Sequence, residues 1–479
     1  MGSEDVSPAR RMLRCWASCV FMGWQVLAAV PAAGAQDVDS GDQLDELEAL
    51  DELEALDELD GLEAETGGGE SALHLDRLHL FAAVQSRSYL LDRRSTPQID
   101  DQLLLEVGGT LDLKLLRSVS LLAQPWFLVD ALDTDLLRYE PLEGYLRFAW
   151  SSWEIVVGQF VESWGVADGA NPLDVLNRRD LRPNLLDPIA RGELGARIRF
   201  SPPGFGALGQ PLVGLYVLPL WRVTPFPTQR GRFSFSQGDY AFRPGRGIEP
   251  LWGEGVFVAL RLEHTLSTRA MSADLQYEVA RGPGRLPTLG IRTTSASRTI
   301  LVPDYFGNWV VGGGIRAVPN ASGWSKFTFK AEVAYTRPYA LHEAPDRLPD
   351  QYFQAVAGFD RLFPHVFSSR DTLTLTVEGM GGTVTDDGFS DLRLLSSDVL
   401  VRTDWSAGNL SRTRVELRLI VDVETGELIA EASLETQLRF IHDDLKLVVT
   451  GSPMQARDDS LLSQFPNNTS AGARLQLDY

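Results

Sequence analysis

Residues 326–337 alternate between two kinds of side chain without a break. Phe327, Phe329, Ala331, Val333 and Tyr335 fall on one side of an extended strand, and Thr328, Lys330, Glu332, Ala334 and Thr336 on the other. Residues 413–422 repeat the pattern, with Val415, Leu417, Leu419 and Val421 against Arg414, Glu416, Arg418 and Asp422, and Ile420 as the exception. Residues 371–380 set Leu373, Leu375 and Val377 against Thr372, Thr374, Thr376 and Glu378. The second face carries too many charges for a sandwich core and is too regular for a loop. It suits a strand with lipid on one side and a water-filled interior on the other.

The spacing of such segments narrows the choice further. Eighteen candidate strands run from 76–89 to 470–479, and the connections between them alternate in length. Residues 115–117, 151–152, 407–411 and 441–443 are short, whereas 163–191, 222–253 and 282–307 are long; 424–427 breaks the rule. Short periplasmic turns alternating with long outer loops mark a transmembrane antiparallel β-barrel. A propeller or a sandwich has no reason to alternate this way. Discounting weak strands such as 398–406 would leave sixteen. An even number places both termini on one side, in the periplasm.

The amino-terminal part sets the compartment. Arg10, Arg11 and Arg14 precede an apolar run over 15–30, and Ala33-Gly34-Ala35 follows as a small-residue cleavage site. Residues 1–35 therefore read as a secretory signal peptide. Both cysteines, Cys15 and Cys19, lie within it, so the exported chain has no disulfide, thiolate metal site or cysteine nucleophile. Residues 36–72 form an acidic low-complexity periplasmic segment with a Gly linker, and 73–479 the barrel. Residues 37–65 hold 14 Asp or Glu and no Lys or Arg, with Leu at every third position. A period of three spirals around a helix and builds no coiled-coil seam. The segment reads as a solvated, self-repelling tether, or as a binder of a basic partner or divalent cations.

Two stretches carry a resemblance. In the last strand Ala471, Ala473, Leu475, Leu477 and Tyr479 share one face, opposite Gly472, Arg474, Gln476 and Asp478. An aromatic final residue behind apolar residues at every second position resembles the closing strand of bacterial outer-membrane barrels. The resemblance implies that Leu475, Leu477 and Tyr479 are read by the barrel assembly machinery. After the strand at 153–162 come Trp164, Gly165, Asp168, Asn171, Pro172, Asp174 and Asp180, with Gly158 and Gln159 before them. This order is similar to a porin-like outer-membrane family of largely uncharacterised function, whose pattern runs from Gly-Arg-Gln through Trp-Gly to Asn-Pro and Asp. The Arg of that pattern is missing from Gly158-Gln159-Phe160. The resemblance implies an outer-membrane barrel with a transport role and brings no substrate.

The same stretch has its own physics. Asp168-Gly169 is a turn pair, and Asn171 is placed to cap a short helix with Pro172 at its first position and Asp174 at its third. Asp187-Pro188 offers a second helix start. Loop 163–191 is expected to be ordered in or over the mouth. Its residues Trp164, Asp168, Asn171, Asp174, Arg178, Arg179, Asp180 and Arg182 then either hold the loop's shape or form a constriction with opposed charges.

Arg230, Arg232, Arg243 and Arg246 make the outer loop 222–253 basic on a chain of net charge −21. They either draw anions to a pore or bind lipopolysaccharide phosphates. No nucleophile elbow, zinc-helix motif, phosphate loop or dinucleotide fingerprint occurs, and the six histidines are scattered. The expectation is a non-enzymatic barrel without metal or cofactor and without nucleic-acid partners. It passes small polar or anionic solutes; the alternative is a barrel plugged by its loops, with a structural or surface role, or exporting a hydrophobic molecule. Replacing Tyr479 by Ala should reduce membrane insertion while export proceeds, measured as barrel protein accumulating in the periplasm. Normal insertion would remove the terminal strand's signalling role.

Overall fold

The computed structural model describes residues 74–89, 101–132, 137–139, 141–169, 171–180, 189–203, 209, 211–220, 222, 224, 240–242, 255–285, 288–293, 299–321, 324–341, 348, 350–382, 397–423, 426–455 and 469–479. The expected signal peptide and acidic segment lie outside them.

Strand follows strand around one closed antiparallel ring. The first nine are β1 (His74–Tyr89), β2 (Asp101–Leu116), β3 (Val119–Gln124, resumed after Pro125 as Trp126–Asp130), β4 (Glu143–Ala149), β5 (Trp153–Phe160), β6 (Glu193–Phe200), β7 (Leu212–Leu218), β8 (Phe257–Ser267) and β9 (Met271–Pro283). Then come β10 (Gly307–Pro319), β11 (Phe327–Tyr339), β12 (Tyr352–Pro364), β13 (Thr372–Gly382), β14 (Asp398–Ser406), β15 (Arg414–Asp422), β16 (Leu428–Gln437), β17 (Leu445–Ser452, resumed as Met454–Gln455) and β18 (Ser470–Asp478). Leu137–Tyr139 pairs with Trp126–Asp130 and prolongs the line of β4. Counting each resumed segment with its strand, the 21 segments of the main sheet make eighteen strands. The strand over 398–406, one of the weak ones by pattern, is β14.

Closure is made by β1 and β18, paired from Phe81↔Asp478 to Tyr89↔Ser470. Beyond the ladder, Leu80 and Tyr479 exchange two backbone hydrogen bonds of 2.7 Å, each N–H donating to the other's carbonyl. The final residue is therefore stitched into the sheet while its ring stays 86% exposed on the outside. A closed ring leaves no row of unpaired N–H and C=O groups, which lipid could not satisfy.

The two faces separate as the alternation requires. On β11, Phe329 and Val333 point outward and are exposed, whereas Lys330, Glu332, Ala334 and Thr336 point inward and are buried. On β18, Leu475 and Leu477 lie outside. Trp150, Trp153, Trp309 and Trp324 sit exposed near strand ends, where amphipathic rings meet headgroups. Trp126, expected in this belt from its place near a strand end, instead faces the lumen and is buried, with the Arg191 guanidinium 3.9 Å from its ring centre. Purified in detergent, the protein should migrate differently on a gel before and after boiling and sediment with outer membranes. Recovery as a soluble periplasmic monomer would contradict the closed lipid-facing band.

Candidate functional site: a loop laid across the lumen

The interior is organised by residues 161–180, and their inward path begins at a glycine. Gly158 has φ +141°, a conformation that L side chains rarely adopt, and a Cβ there would lie 2.3 Å from the Gly144 carbonyl oxygen. The strand's alternation breaks at this point. Gln159 and Phe160 are both buried, and the chain leaves the wall toward the lumen.

Residues 166–169 then reach the far side. The amides of Val166 and Ala167 donate to Glu332 Oε1 on β11, the second at 2.6 Å. The amides of Asp168 and Gly169 donate to Glu378 on β13, at 2.9 and 2.8 Å. These strands stand six and eight places round an eighteen-strand ring from β5, so the loop spans the bore. A carboxylate accepting two backbone N–H groups makes charge-assisted bonds, each worth about 1.5–3 kcal/mol. Lys330 binds the Asp168 carboxylate and also Asp360 at 2.8 Å and Glu378 at 3.5 Å, and Arg402 approaches Asp168 at 3.5 Å.

The return limb is built on Asn171. Its Oδ1 accepts from the amides of Leu173 and Asp174, both at 3.1 Å, and its Nδ2 donates to the Trp164 carbonyl. Gly165, at φ +91°, passes so close that a Cβ would lie 2.1 Å from Asn171 Oδ1. The expected short helix does not form; the described segment is a hydrogen-bonded turn. Asn177 ends it by donating to Asp174 Oδ1 at 2.7 Å and to the Glu162 carbonyl, pulling the chain back to the end of β5. The second expected helix start, at Asp187-Pro188, lies outside the described residues.

Trp164, Leu173 and Leu176 have no exposed surface, each contributing roughly 1.5–3 kcal/mol by burial. They pack on Val156, Phe160, Tyr216, Ala259, Ala280 and Ala334. Here the inner face is not the charged, wetted wall the alternation suggests. Small side chains on β8, β9 and β11 make room for the loop, and on β10 Gly312 leaves the space that Leu173 occupies.

The expected constriction residues fall into different environments. Arg178–Asp180 pairs as a short ribbon with Ile189–Arg191. Asp180 and Arg191 form an ion pair at 3.1 Å with neither side chain exposed, and Arg178 is buried 3.5 Å from Glu193. Removing one member of a buried pair costs about 3–5 kcal/mol. Trp164, Asn171 and Asp174 hold the loop's shape. Asp168 and Arg179 keep 30% and 38% of their side chains exposed, Arg179 paired with Asp174 at 2.8 Å. Arg182, Arg230, Arg232, Arg243 and Arg246 lie outside the described residues.

Glu332, Glu378 and Lys330 were legible as positions on the polar face, Arg402 was not singled out, and nothing in the sequence pairs any of them with residues 166–169. The opposite wall, from β14 through β18 to β2, carries Arg414–Asp404 at 2.8 Å, Arg418–Glu431 at 3.0 Å, Lys446–Glu435 at 2.7 Å and Arg474–Glu106 at 2.7 Å. All of these side chains are partly exposed, Arg414 most at 49%.

A closed ring, apolar outside and charged inside with a loop folded into its bore, defines a transmembrane β-barrel of the outer-membrane type. Among solved structures, a BenF-like porin from Pseudomonas fluorescens is similar at 12% identity and a TM-score of 0.49, covering 86% of this chain and 99% of that one. The outer membrane protein OpdK from Pseudomonas aeruginosa is similar at 10% identity and a TM-score of 0.47, covering 84% and 96%. Wzi, an Escherichia coli outer membrane protein of group 1 capsule assembly described as a carbohydrate-binding barrel, is similar at 11% identity and a TM-score of 0.46, covering 84% of each chain. No family model and no curated protein matches the sequence.

Replacing Glu332 and Glu378 together by Ala should release residues 166–169 and leave the barrel closed. The readout is faster tryptic cleavage at Arg179 with heat-modifiable migration retained. Unchanged resistance would mean that the buried Trp164, Leu173 and Leu176 suffice to hold the loop.

Proposed function

We propose that the protein is a porin-like channel through which small polar or anionic solutes pass beside the inward loop. The observation that carries this is the asymmetry of the bore. The loop's apolar side is packed against β7–β11, whereas the wall from β14 to β18 keeps accessible charged side chains such as Arg414 and Arg418. Solute passing beside the loop meets Arg179 and the Asp168–Arg402 pair by which the loop touches the wall.

The selectivity mechanism is electrostatic. On the open wall Arg414, Arg418, Lys446 and Arg474 each stand against an acidic partner, so a solute meets alternating signs and not one uniform field. Where few waters remain, such charges act at short range and reduced screening. Anion preference then rests on cations near the narrow part, of which Arg179 is the accessible one among the described residues of the loop.

In a planar bilayer the purified protein should show steady single-channel openings. Arg179→Gln should shift the reversal potential in a salt gradient toward cations with conductance retained. Arg178→Gln should chiefly lower stability, because that side chain is buried against Glu193. Silence from heat-modifiable, well-folded protein would favour the plugged barrel, in which the same loop closes the bore and the function is structural, surface-directed or export of a hydrophobic molecule.

A further inference from the structure

Three arginines from separate parts of the chain converge on one carboxylate. Arg178 Nε lies 3.5 Å from Glu193 Oε1, Arg222 Nε 3.3 Å from Oε2, and Arg285 Nη1 3.6 Å from Oε1. Glu193 has no exposed side-chain surface, and the arginines keep 8%, 13% and 8% of theirs. A guanidinium carries five N–H donors and a carboxylate about four lone pairs, so one carboxylate cannot serve three guanidinium groups.

Arg222 also donates to the Gly192 carbonyl and, at 3.5 Å, to Gln159 Oε1. Arg285 is the member left over. Its face lies 5.5 Å from the Phe257 ring, and its Nε, Nη1 and Nη2 are all buried without a hydrogen-bond acceptor. Burial lowers the Arg285 pKa, Glu193 opposes this, and Arg178 and Arg222 lower it further. A buried guanidinium that shares one carboxylate with two others and has no hydrogen-bond acceptor is costly, and a second anion beside it removes the cost.

We propose that this cluster binds a small oxyanion of the phosphate, sulfate or carboxylate class against the Arg285 fork. Such an anion matches guanidinium geometry bidentately. It would also tie the inward loop, through Arg178, to the mouth of the wall, through Arg222 and Arg285. The site is independent of whether solute passes the bore.

The test is thermal unfolding of the purified protein in detergent, followed by tryptophan fluorescence at constant ionic strength, with chloride replaced by inorganic phosphate, sulfate or acetate. The wild type should gain several degrees in the oxyanion buffers. Because phosphate and sulfate stabilise many proteins non-specifically, Arg285→Gln provides the comparison. It should lose the gain, and in chloride it should melt no lower than the wild type, since Arg178 and Arg222 still neutralise Glu193 and a buried guanidinium without a hydrogen bond is gone. An equal gain in both proteins, or no gain in the wild type up to full replacement of chloride, overturns the site. Should Arg285→Gln fail to fold, the ³¹P resonance of inorganic phosphate decides. Broadening by the wild type that sulfate reverses supports the site, and an unaffected line refutes it.

Discussion

Everything in this molecule depends on the requirement that a sheet in lipid have no edge. Backbone N–H and C=O groups facing hydrocarbon find no water, so the first and last strands must meet. They meet over nine residue pairs between β1 and β18, and the chain's final amide and carbonyl are bonded to Leu80. The closing interaction joins residues nearly the whole barrel apart in sequence. Its stability is therefore inseparable from that of the ring, and the apolar outer face follows from where the ring must sit.

Closure creates the second problem, an enclosed bore lined by side chains that cannot pack on one another across it. The chain solves this on one side by laying residues 161–180 over the wall. Alanines and a glycine on β8–β11 accept Trp164, Leu173 and Leu176, and two inward carboxylates on β11 and β13 receive the loop's free amides. Those amides lie in an irregular segment that would otherwise leave donors unpaired. Apolar packing thus sets where the loop lies, and the carboxylates set how far it reaches. The remaining wall keeps its charges in cross-strand pairs and in contact with solvent.

The motif around Trp164 acquires a physical account from this arrangement. Gly158 turns the chain off the wall, Gly165 lets it pass beside Asn171, and Asn171 closes the turn that presents Leu173. Asp174 and Asn177 fasten the turn to the end of β5. Arg178 and Asp180 serve buried ion pairs, whereas Asp168 and Arg179 are, among the described charged residues of the motif, the ones that keep exposed side-chain surface. One charged stretch of sequence is in this way divided between scaffold and surface.

From the sequence alone came the class of fold, a count of about eighteen strands with sixteen as the alternative, and the two-faced character of the strands. These are local properties. A strand's two faces are written in a period of two, and a turn's length in the gap between two such runs. The faint strand at 398–406, whose omission would have left sixteen, is decided by its pairing with β13 and β15. The tertiary structure alone decided what fills the bore. Contacts such as Val166 with Glu332 and Asp168 with Glu378 join residues 166 and 210 positions apart, and no local pattern records which inward carboxylate meets which amide. The same holds for Trp126, whose partners in the bore, the Arg191 guanidinium over its ring and the Glu106 carboxylate at its indole nitrogen, are recorded by no local pattern. Periodicity tells each side chain which way to point; only the closed ring determines what it finds there.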